Sequence, residues 1–212
     1  MYAIVKYKKY GFMRFLSAIE TANLIERNIR RSGIPITLSK GFHQKIRISY
    51  LDPMPTGVVN LALYVRIELQ YMHEGVLKKL RKSSMQGLYP SSLWWTDLNL
   101  NRVVTGYAFR VLIPKTCVDL SRYDPNAKIE VPEKSKFGTV GDFFENIEFN
   151  FQGEFIMIRY SQRKDKLLRS RYLYEPILTG KDCFVLTQCT EALCNGRKLP
   201  ELLEETAWAI EC

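Results

Sequence analysis

The segment from Ser39 to Arg47 contains the residue types that contact a polyanion. Within nine positions it has a glycine, a hydroxyl, an aromatic ring, an imidazole and three cations. Glycine permits close approach of the backbone to a phosphate, the cations supply charge, and an aromatic ring can stack on a base. We interpret the segment as a phosphate-contacting loop, with a solvated basic turn between two strands as the alternative. The residues concerned are Ser39, Lys40, Gly41, Phe42, His43, Lys45 and Arg47.

The positive charge is concentrated in two parts of the chain. Residues 1–50 hold ten cations and two acids, which is nearly the whole net charge of +9. Residues 159–171 hold six cations and one acid, and the remaining chain is net acidic. Such segregation favours a polyanion partner, with solubility alone as the competing explanation. The predicted phosphate contacts are Arg14, Arg30, Arg31, Lys40, Lys45 and Arg47, with Phe42 or His43 available to stack on a base.

His43 is the candidate for acid–base chemistry, because histidine is the residue type most often used for proton transfer near neutral pH. The chain has two histidines, and it lacks H-E-x-x-H, G-x-S-x-G, P-loop and G-x-G-x-x-G patterns. With Tyr10, Ser39 and Lys45 nearby in sequence, a metal-independent ribonuclease is conceivable. No partner acid or base is identifiable by spacing, so the simpler interpretation is a loop histidine that contacts nucleic acid or solvent.

The cysteines do not indicate a metal or redox centre. They are five in number and contain no C-x-x-C pair, and the iron–sulfur pattern of a radical S-adenosylmethionine (SAM) enzyme is absent. We therefore expect reduced thiols that pack as small apolar residues, and we predict no metal and no cofactor. The cysteines are Cys117, Cys183, Cys189, Cys194 and Cys212.

A helix from Ala18 to Ser32 is predicted to lead into the basic loop. Ser17 and Glu20 have the spacing of a capping box, and apolar residues then recur at helical intervals. Gly33 and Pro35 end the helix. Its arginines lie off the apolar stripe, near the C-terminus, where cations suit the helix dipole.

The order of predicted elements indicates an α+β chain of two ferredoxin-like (βαββαβ-type) units side by side, residues 1–87 and 88–212. In the first unit, residues 12–16 are predicted to be extended and residues 88–92 to connect the halves. In the second, residues 161–171 are predicted to be a basic connection. The predicted strands include 2–9, 46–51, 58–69, 93–100, 107–113, 148–151, 154–160 and 184–189, and the other predicted helices are 73–83, 139–146 and 199–209.

The composition is that of a globular protein, with 46% hydrophobic and 25% charged residues. No apolar run approaches the roughly 18 residues that cross a bilayer, so we expect no membrane segment. The N-terminal residues read as a strand rather than a signal peptide. These features predict a cytoplasmic protein, and they leave the oligomeric state open.

The motifs of residues 12–57 resemble an uncharacterised bacterial family, the radical-SAM-linked proteins, whose members occur alone or fused to radical SAM proteins. The family continues Gly-Phe with Asn-Pro-His-Pro, whereas this chain has His43–Ile46, so His43 is not at the position of the family's histidine. The resemblance implies a domain without an assigned activity. The matching residues are 14–17 (R-F-L-S), 30–35 (R-R-S-G-I-P), 39–42 (S-K-G-F), 48–49 (I-S) and 53–57 (P-M-P-T-G).

The first half is also similar in outline to CRISPR repeat-processing endoribonucleases, which pair two ferredoxin-like domains, although their glycine-rich C-terminal loop is absent here. The leading hypothesis is an RNA-binding recognition module, for tRNA or ribosomal RNA, that works with a radical SAM enzyme. The alternatives are a protein-interaction domain that docks on an acidic surface of that enzyme and, less favoured, the ribonuclease.

Overall fold

The computed structural model describes residues 1–131 and 136–208, and the chain divides into two compact α+β units. Unit 1 comprises Met1–Val104 with Arg197–Cys212, and unit 2 comprises Thr105–Gly196. Two sequence predictions concern residues outside the described ranges: the end of the last helix at Ala209 and the thiol of Cys212.

Unit 1 has a four-stranded antiparallel sheet in the order β4-β1-β3-β2. The chain enters it through β1, crosses over α1 to the edge strand β2, returns through β3, and reaches the other edge at β4 after α2. Its elements are β1 (Tyr2–Lys9), a 3-10 helix (Gly11–Phe15), α1 (Ala18–Ser32), β2 (Ile48–Tyr50), β3 (Val59–Glu68), α2 (Val76–Lys82), β4 (Leu88–Trp95) and α3 (Leu100–Val103).

The core of unit 1 lies between this sheet and helices α1 and α2. Alternate residues of β1, among them Val5 and Tyr7, face the apolar stripe of α1 at Ile25 and Ile29. All four side chains are fully buried. Since burial of one such side chain contributes about 1.5–3 kcal/mol, this layer fixes the two helices on the sheet.

Unit 2 has an antiparallel sheet in the order β10-β5-β9-β8 and a separate hairpin of β6 and β7. The chain then returns to unit 1 through β11 (Arg197–Lys198) and α6 (Leu199–Thr206). The elements of unit 2 are β5 (Gly106–Pro114), β6 (Lys128–Val131), β7 (Lys136–Thr139), α4 (Val140–Phe143), β8 (Glu145–Gln152), β9 (Phe155–Arg163), α5 (Arg171–Tyr174) and β10 (Leu186–Cys194).

Three predicted segments have a different structure, and two predicted elements are too long, because residues 145–146 of the predicted helix 139–146 belong to β8 and the predicted strand 93–100 ends at Trp95. The segment expected to be extended before α1 is the 3-10 helix Gly11–Phe15, and residues 161–163 of the expected basic connection belong to β9. The expected connection at residues 88–92 is the first part of β4. Pro90 lies in this strand because β4 is an edge strand, where a missing backbone donor is tolerated.

No helix in the described part of the chain is both long and apolar enough to cross a membrane. No disulfide joins the four described cysteines, Cys117, Cys183, Cys189 and Cys194. Among residues 1–131 and 136–208, no three histidine, cysteine or acidic side chains are grouped closely enough to bind a metal ion.

Candidate functional site

Local capping fixes the two ends of α1, and its buried residues determine which face meets solvent. Ser17 Oγ accepts a hydrogen bond from the Glu20 amide at 3.3 Å, while the Ser17 amide donates to the Glu20 carboxylate at 2.8 Å. Gly33 ends the helix in the left-handed conformation, with φ 63°. The helix thus has the predicted boundaries, and its buried face leaves Arg27, Arg30 and Arg31 exposed.

Helix α2 adds further cations beside those of α1. The buried side chain of Asn28 donates to the carbonyl oxygen of Leu80 and to Ser83 Oγ, both at 2.9 Å, and so joins the two helices. Arg27 precedes Asn28 in α1 and Arg31 follows it by three residues. Lys79 precedes Leu80 in α2 and Lys82 follows it by two residues. We call the exposed cations of the two helices, apart from the hydrogen-bonded Arg81, the basic helix surface; they are Arg27, Arg30, Arg31, Lys78, Lys79 and Lys82.

The predicted phosphate-contacting loop is the tip of a hairpin. An antiparallel bridge between Leu38 and Ile46 forms its base, and both residues pack against the core of unit 1. Ser39 closes the loop: its amide donates to the carbonyl oxygen of Lys45 at 2.8 Å, and its hydroxyl accepts from the Lys45 amide at 3.0 Å. Ser39 therefore has a structural part in shaping the hairpin loop, which we define as Ser39–Lys45.

The side chains of the hairpin loop point into solvent. Phe42 is 97% exposed, and its ring meets that of His43 edge-on, with centroids 5.0 Å apart. Lys40 and Lys45 are exposed as well. Gly41 has φ +130°, a conformation that other residues rarely adopt. The loop thus presents an uncovered aromatic ring between two lysines.

The cations of both surfaces lack counter-charges. Within residues 1–131 and 136–208, no hydrogen bond or ion pair engages the side chains of the basic helix surface, and the same holds for Lys40 and Lys45. Arg47 differs, because its guanidinium lies 3.2 Å from both carboxylate oxygens of Glu68. Arg47 is therefore already paired, and a phosphate would have to compete with Glu68 for it.

Arg14 lies apart from the other predicted contacts. It belongs to the 3-10 helix before α1, whereas Arg30 and Arg31 lie at the other end of a helix of 15 residues. At 1.5 Å per residue this helix is about 22 Å long. Arg14 is half-buried, and its guanidinium lies 4.6 Å from the centroid of the Phe15 ring. The structure thus brings together the helix cations, and it does not place Arg14 with them.

His43 has no partner for acid–base catalysis among the described residues. Its one ring contact is with Phe42, and no described side chain donates to or accepts from its imidazole.

The second basic segment, in unit 2, is partly neutralised: Arg163 pairs with Asp165 at 3.1 Å, and Lys166 donates to the carbonyl oxygen of Asp142.

The sequence analysis did not include the lysines of α2 among the predicted phosphate contacts. The sequence does contain a cluster of cations there, because residues 78–82 read K-K-L-R-K, with two cations on each side of the buried Leu80. Sequence alone gave no reason to join these lysines to α1, because the link depends on the tertiary contact of Asn28. Arg81 is less available, since its guanidinium donates to the carbonyl oxygens of Pro90 and Ser91.

Comparison with known proteins gives a family for the chain. No curated protein matches the sequence. A family profile described as "uncharacterized protein conserved in bacteria (DUF2344)" matches residues 3–138, which is more than half of the 212 residues. The match includes most of unit 1 and therefore the hairpin loop and both helices of the basic helix surface. The chain belongs to this bacterial family, DUF2344.

Proposed function

We propose that unit 1 binds RNA through the basic helix surface and the hairpin loop. The observation that supports this most is the set of exposed cations without counter-charges on two adjoining helices, together with the 97% exposed ring of Phe42 between Lys40 and Lys45. Phosphates would lie against the cations, and a base would stack on the ring. A structured RNA such as tRNA or ribosomal RNA has both groups.

The energetics of such a contact are favourable because little has to be broken. An arginine or lysine in an ion pair must exchange a carboxylate for a phosphate, whereas an unpaired one only releases the counterions of the RNA. Arginine can also bind a phosphate with two parallel hydrogen bonds, and Arg27, Arg30 and Arg31 are the arginines of the basic helix surface. Stacking would cover the largest exposed apolar side chain of the loop.

The topology supports a finer fold assignment as part of this proposal. Each unit has the main element order βαββαβ and a sheet in which the last and first strands lie next to one another, β4-β1-β3-β2 and β10-β5-β9-β8. If the β6–β7 hairpin is treated as an insertion in unit 2, this order supports our assignment of both units to the ferredoxin-like plan. CRISPR repeat-processing endoribonucleases pair two such domains, and that likeness is an analogy of fold only.

The partner in this proposal is a radical SAM enzyme, for which the chain would act as the recognition module. The motifs that the chain shares with radical-SAM-linked proteins motivate this step. A docking surface for an acidic patch on that enzyme would use the same cations, so the RNA experiment is the one that separates the two roles.

The test is fluorescence anisotropy with labelled tRNA and a labelled ribosomal RNA fragment across a KCl series. The variant is Lys40→Gln/Lys45→Gln/Arg47→Gln, and the charge-matched control is Arg102→Gln/Lys128→Gln/Lys181→Gln, whose three cations are exposed outside both surfaces. Each lost phosphate contact lowers the salt slope by about one unit. We expect a lower slope for the variant and the wild-type slope for the control.

Equal slopes for variant and control would refute the loop as the contact surface. Absence of RNA binding at low salt would refute the proposal as a whole. In that case, co-purification of a protein that persists after nuclease treatment would assign the cations to protein docking.

A further inference from the structure

Unit 1 contains a cavity of about 250 Å³ at the N-terminal end of α1. The first turns of α1, the end of β1, the start of β3 and the residues after β2 line it. Ile19, which is 74% exposed, is one of the lining residues, so a ligand can reach the cavity from solvent. The cavity lies at the opposite end of α1 from Arg30 and Arg31, and it has no part in the proposed RNA contact.

The walls are mostly apolar and include one cation. Ile19, Leu51, Met54 and Leu63 are among the lining residues. Lys9 lines the same cavity, although only 4% of it is exposed. A fully charged ammonium in such surroundings is costly unless an anion or several hydrogen bonds compensate for it.

The described structure gives Lys9 partial compensation. Its ammonium donates to the carbonyl oxygen of Leu16 at 3.2 Å and to Thr21 Oγ1 at 3.4 Å. Both acceptors are neutral, and they use two of its three N–H donors. Among the described residues that line the cavity, none has a carboxylate. Burial lowers the pKa of Lys9, as expected for an ammonium without a counter-ion.

Two further polar side chains line the cavity. Asn60 is 2% exposed, with its Oδ1 occupied by the amide of Ala62 at 2.9 Å. The Tyr50 hydroxyl donates a long hydrogen bond, 3.4 Å, to the carbonyl oxygen of Ala22. These groups can orient a polar ligand head beside Lys9, while the remaining wall suits an apolar body.

We propose that this cavity binds a small organic acid, whose carboxylate pairs with Lys9 and whose apolar body contacts the walls around Met54 and Leu63. The size suits such a ligand, because an apolar cavity of about 150 Å³ holds benzene. A cavity of about 250 Å³ therefore has room for a ring and a short acid chain. The proposal is independent of RNA binding, since it involves different residues.

The probe is 3-phenylpropionate, and its matched neutral analogue is 3-phenylpropan-1-ol. Binding is measured by calorimetry and by the shift of the melting temperature. The variants are Lys9→Met, which removes the charge and keeps the length, and Lys8→Met as a control, since Lys8 is exposed. We expect wild type and the Lys8→Met control to bind the acid more tightly than the alcohol. The Lys9→Met protein should bind the acid about tenfold or more weakly than wild type does, as for a lost charged hydrogen bond.

Ala22→Leu provides a second test that does not alter a buried charge, because Ala22 lines the cavity from α1. Filling the space there should weaken the binding of both probes. The proposal is overturned if 3-phenylpropionate does not bind wild type, if acid and alcohol bind equally well, or if Lys9→Met binds the acid as tightly as wild type does.

Discussion

The side-chain amide of Asn28 donates a 2.9 Å hydrogen bond to the carbonyl oxygen of Leu80, which joins α1 to α2 across 52 residues of sequence. The same amide donates to Ser83 Oγ, and Oδ1 of the Asn28 side chain accepts from the Tyr7 hydroxyl at 2.8 Å. Asn28 is 5% exposed and Tyr7 fully buried. Burial raises the pKa of Tyr7, so its hydroxyl remains a donor, and one amide connects two helices and a strand.

Replacing this amide should destabilise the protein strongly. Asn28→Ala leaves the Tyr7 hydroxyl and the bonded groups of α2 without their partner. Because each buried unsatisfied group costs about 1–3 kcal/mol, we expect a loss of about 3 kcal/mol in the free energy of unfolding. Urea denaturation measures it, with Asn23→Ala on the exposed face of α1 as the control, expected within about 0.5 kcal/mol of wild type. A loss no larger than that of the control would contradict a structural role for Asn28.

The helix α1 could be predicted from the sequence because its signals are local. Ser17, Glu20 and Gly33 are within one turn of the ends they determine, and both ends match the prediction. The link made by Asn28 could not be predicted, because its partners are far away along the chain. For the same reason the lysines of α2 were not assigned to a common surface with Arg27 and Arg31.

The predicted site residues show the same limit. Sequence identifies a basic loop with Phe42 in it, and the structure exposes that ring. Sequence does not reveal that Glu68, on β3, already pairs with Arg47. The first part of β4 was predicted as a connection and only residues 93–95 as strand, although an edge strand tolerates a proline such as Pro90.

The capping box predicts a specific pH dependence. Hydrogen bonds from the Ser17 hydroxyl and then the Ser17 amide hold the pKa of Glu20 below its ordinary value of 4.5. The carboxylate therefore stabilises the folded state above that pH, and its contribution is lost as the pH falls through the lowered pKa of the folded state. Wild type should have a higher urea midpoint than Glu20→Gln near neutral pH, and the difference should shrink in acid. Glu204→Gln, on α6, is the control, and a pH-independent difference for Glu20→Gln would exclude this linkage.

The buried ammonium of Lys9 predicts a second change of stability with pH, of the same sign but in the alkaline range. Because burial lowers its pKa in the folded protein, the unfolded chain binds more protons than the folded one up to the ordinary lysine pKa of 10.5. The stability of wild type should therefore gain a rising component as the pH approaches that value. Lys9→Met should lack the component, while Lys8→Met should keep it, as measured by urea midpoints over an alkaline pH series.

The same Lys9→Met change should raise stability near neutral pH by about 1 kcal/mol or more, because an apolar side chain replaces a buried charge. A less stable Lys9→Met protein with an unchanged pH profile would mean that the ammonium is compensated in the folded state. That result would also weaken the case for an anionic ligand in the cavity.

A substitution of Phe42 distinguishes the contribution of base stacking from that of charge in the proposed RNA contact. Phe42→Ala removes a ring that is 97% exposed and packs against little else than His43, so the fold should tolerate it. If a base stacks on this ring, the binding free energy for RNA should weaken by about 1–3 kcal/mol. The slope of affinity against salt concentration should stay the same, because no phosphate contact is lost. Phe184→Ala, a 55% exposed phenylalanine of unit 2, is the control. Equal affinities for Phe42→Ala and wild type would leave the cations of the basic helix surface and the loop as the sole contacts and exclude base stacking at the loop tip.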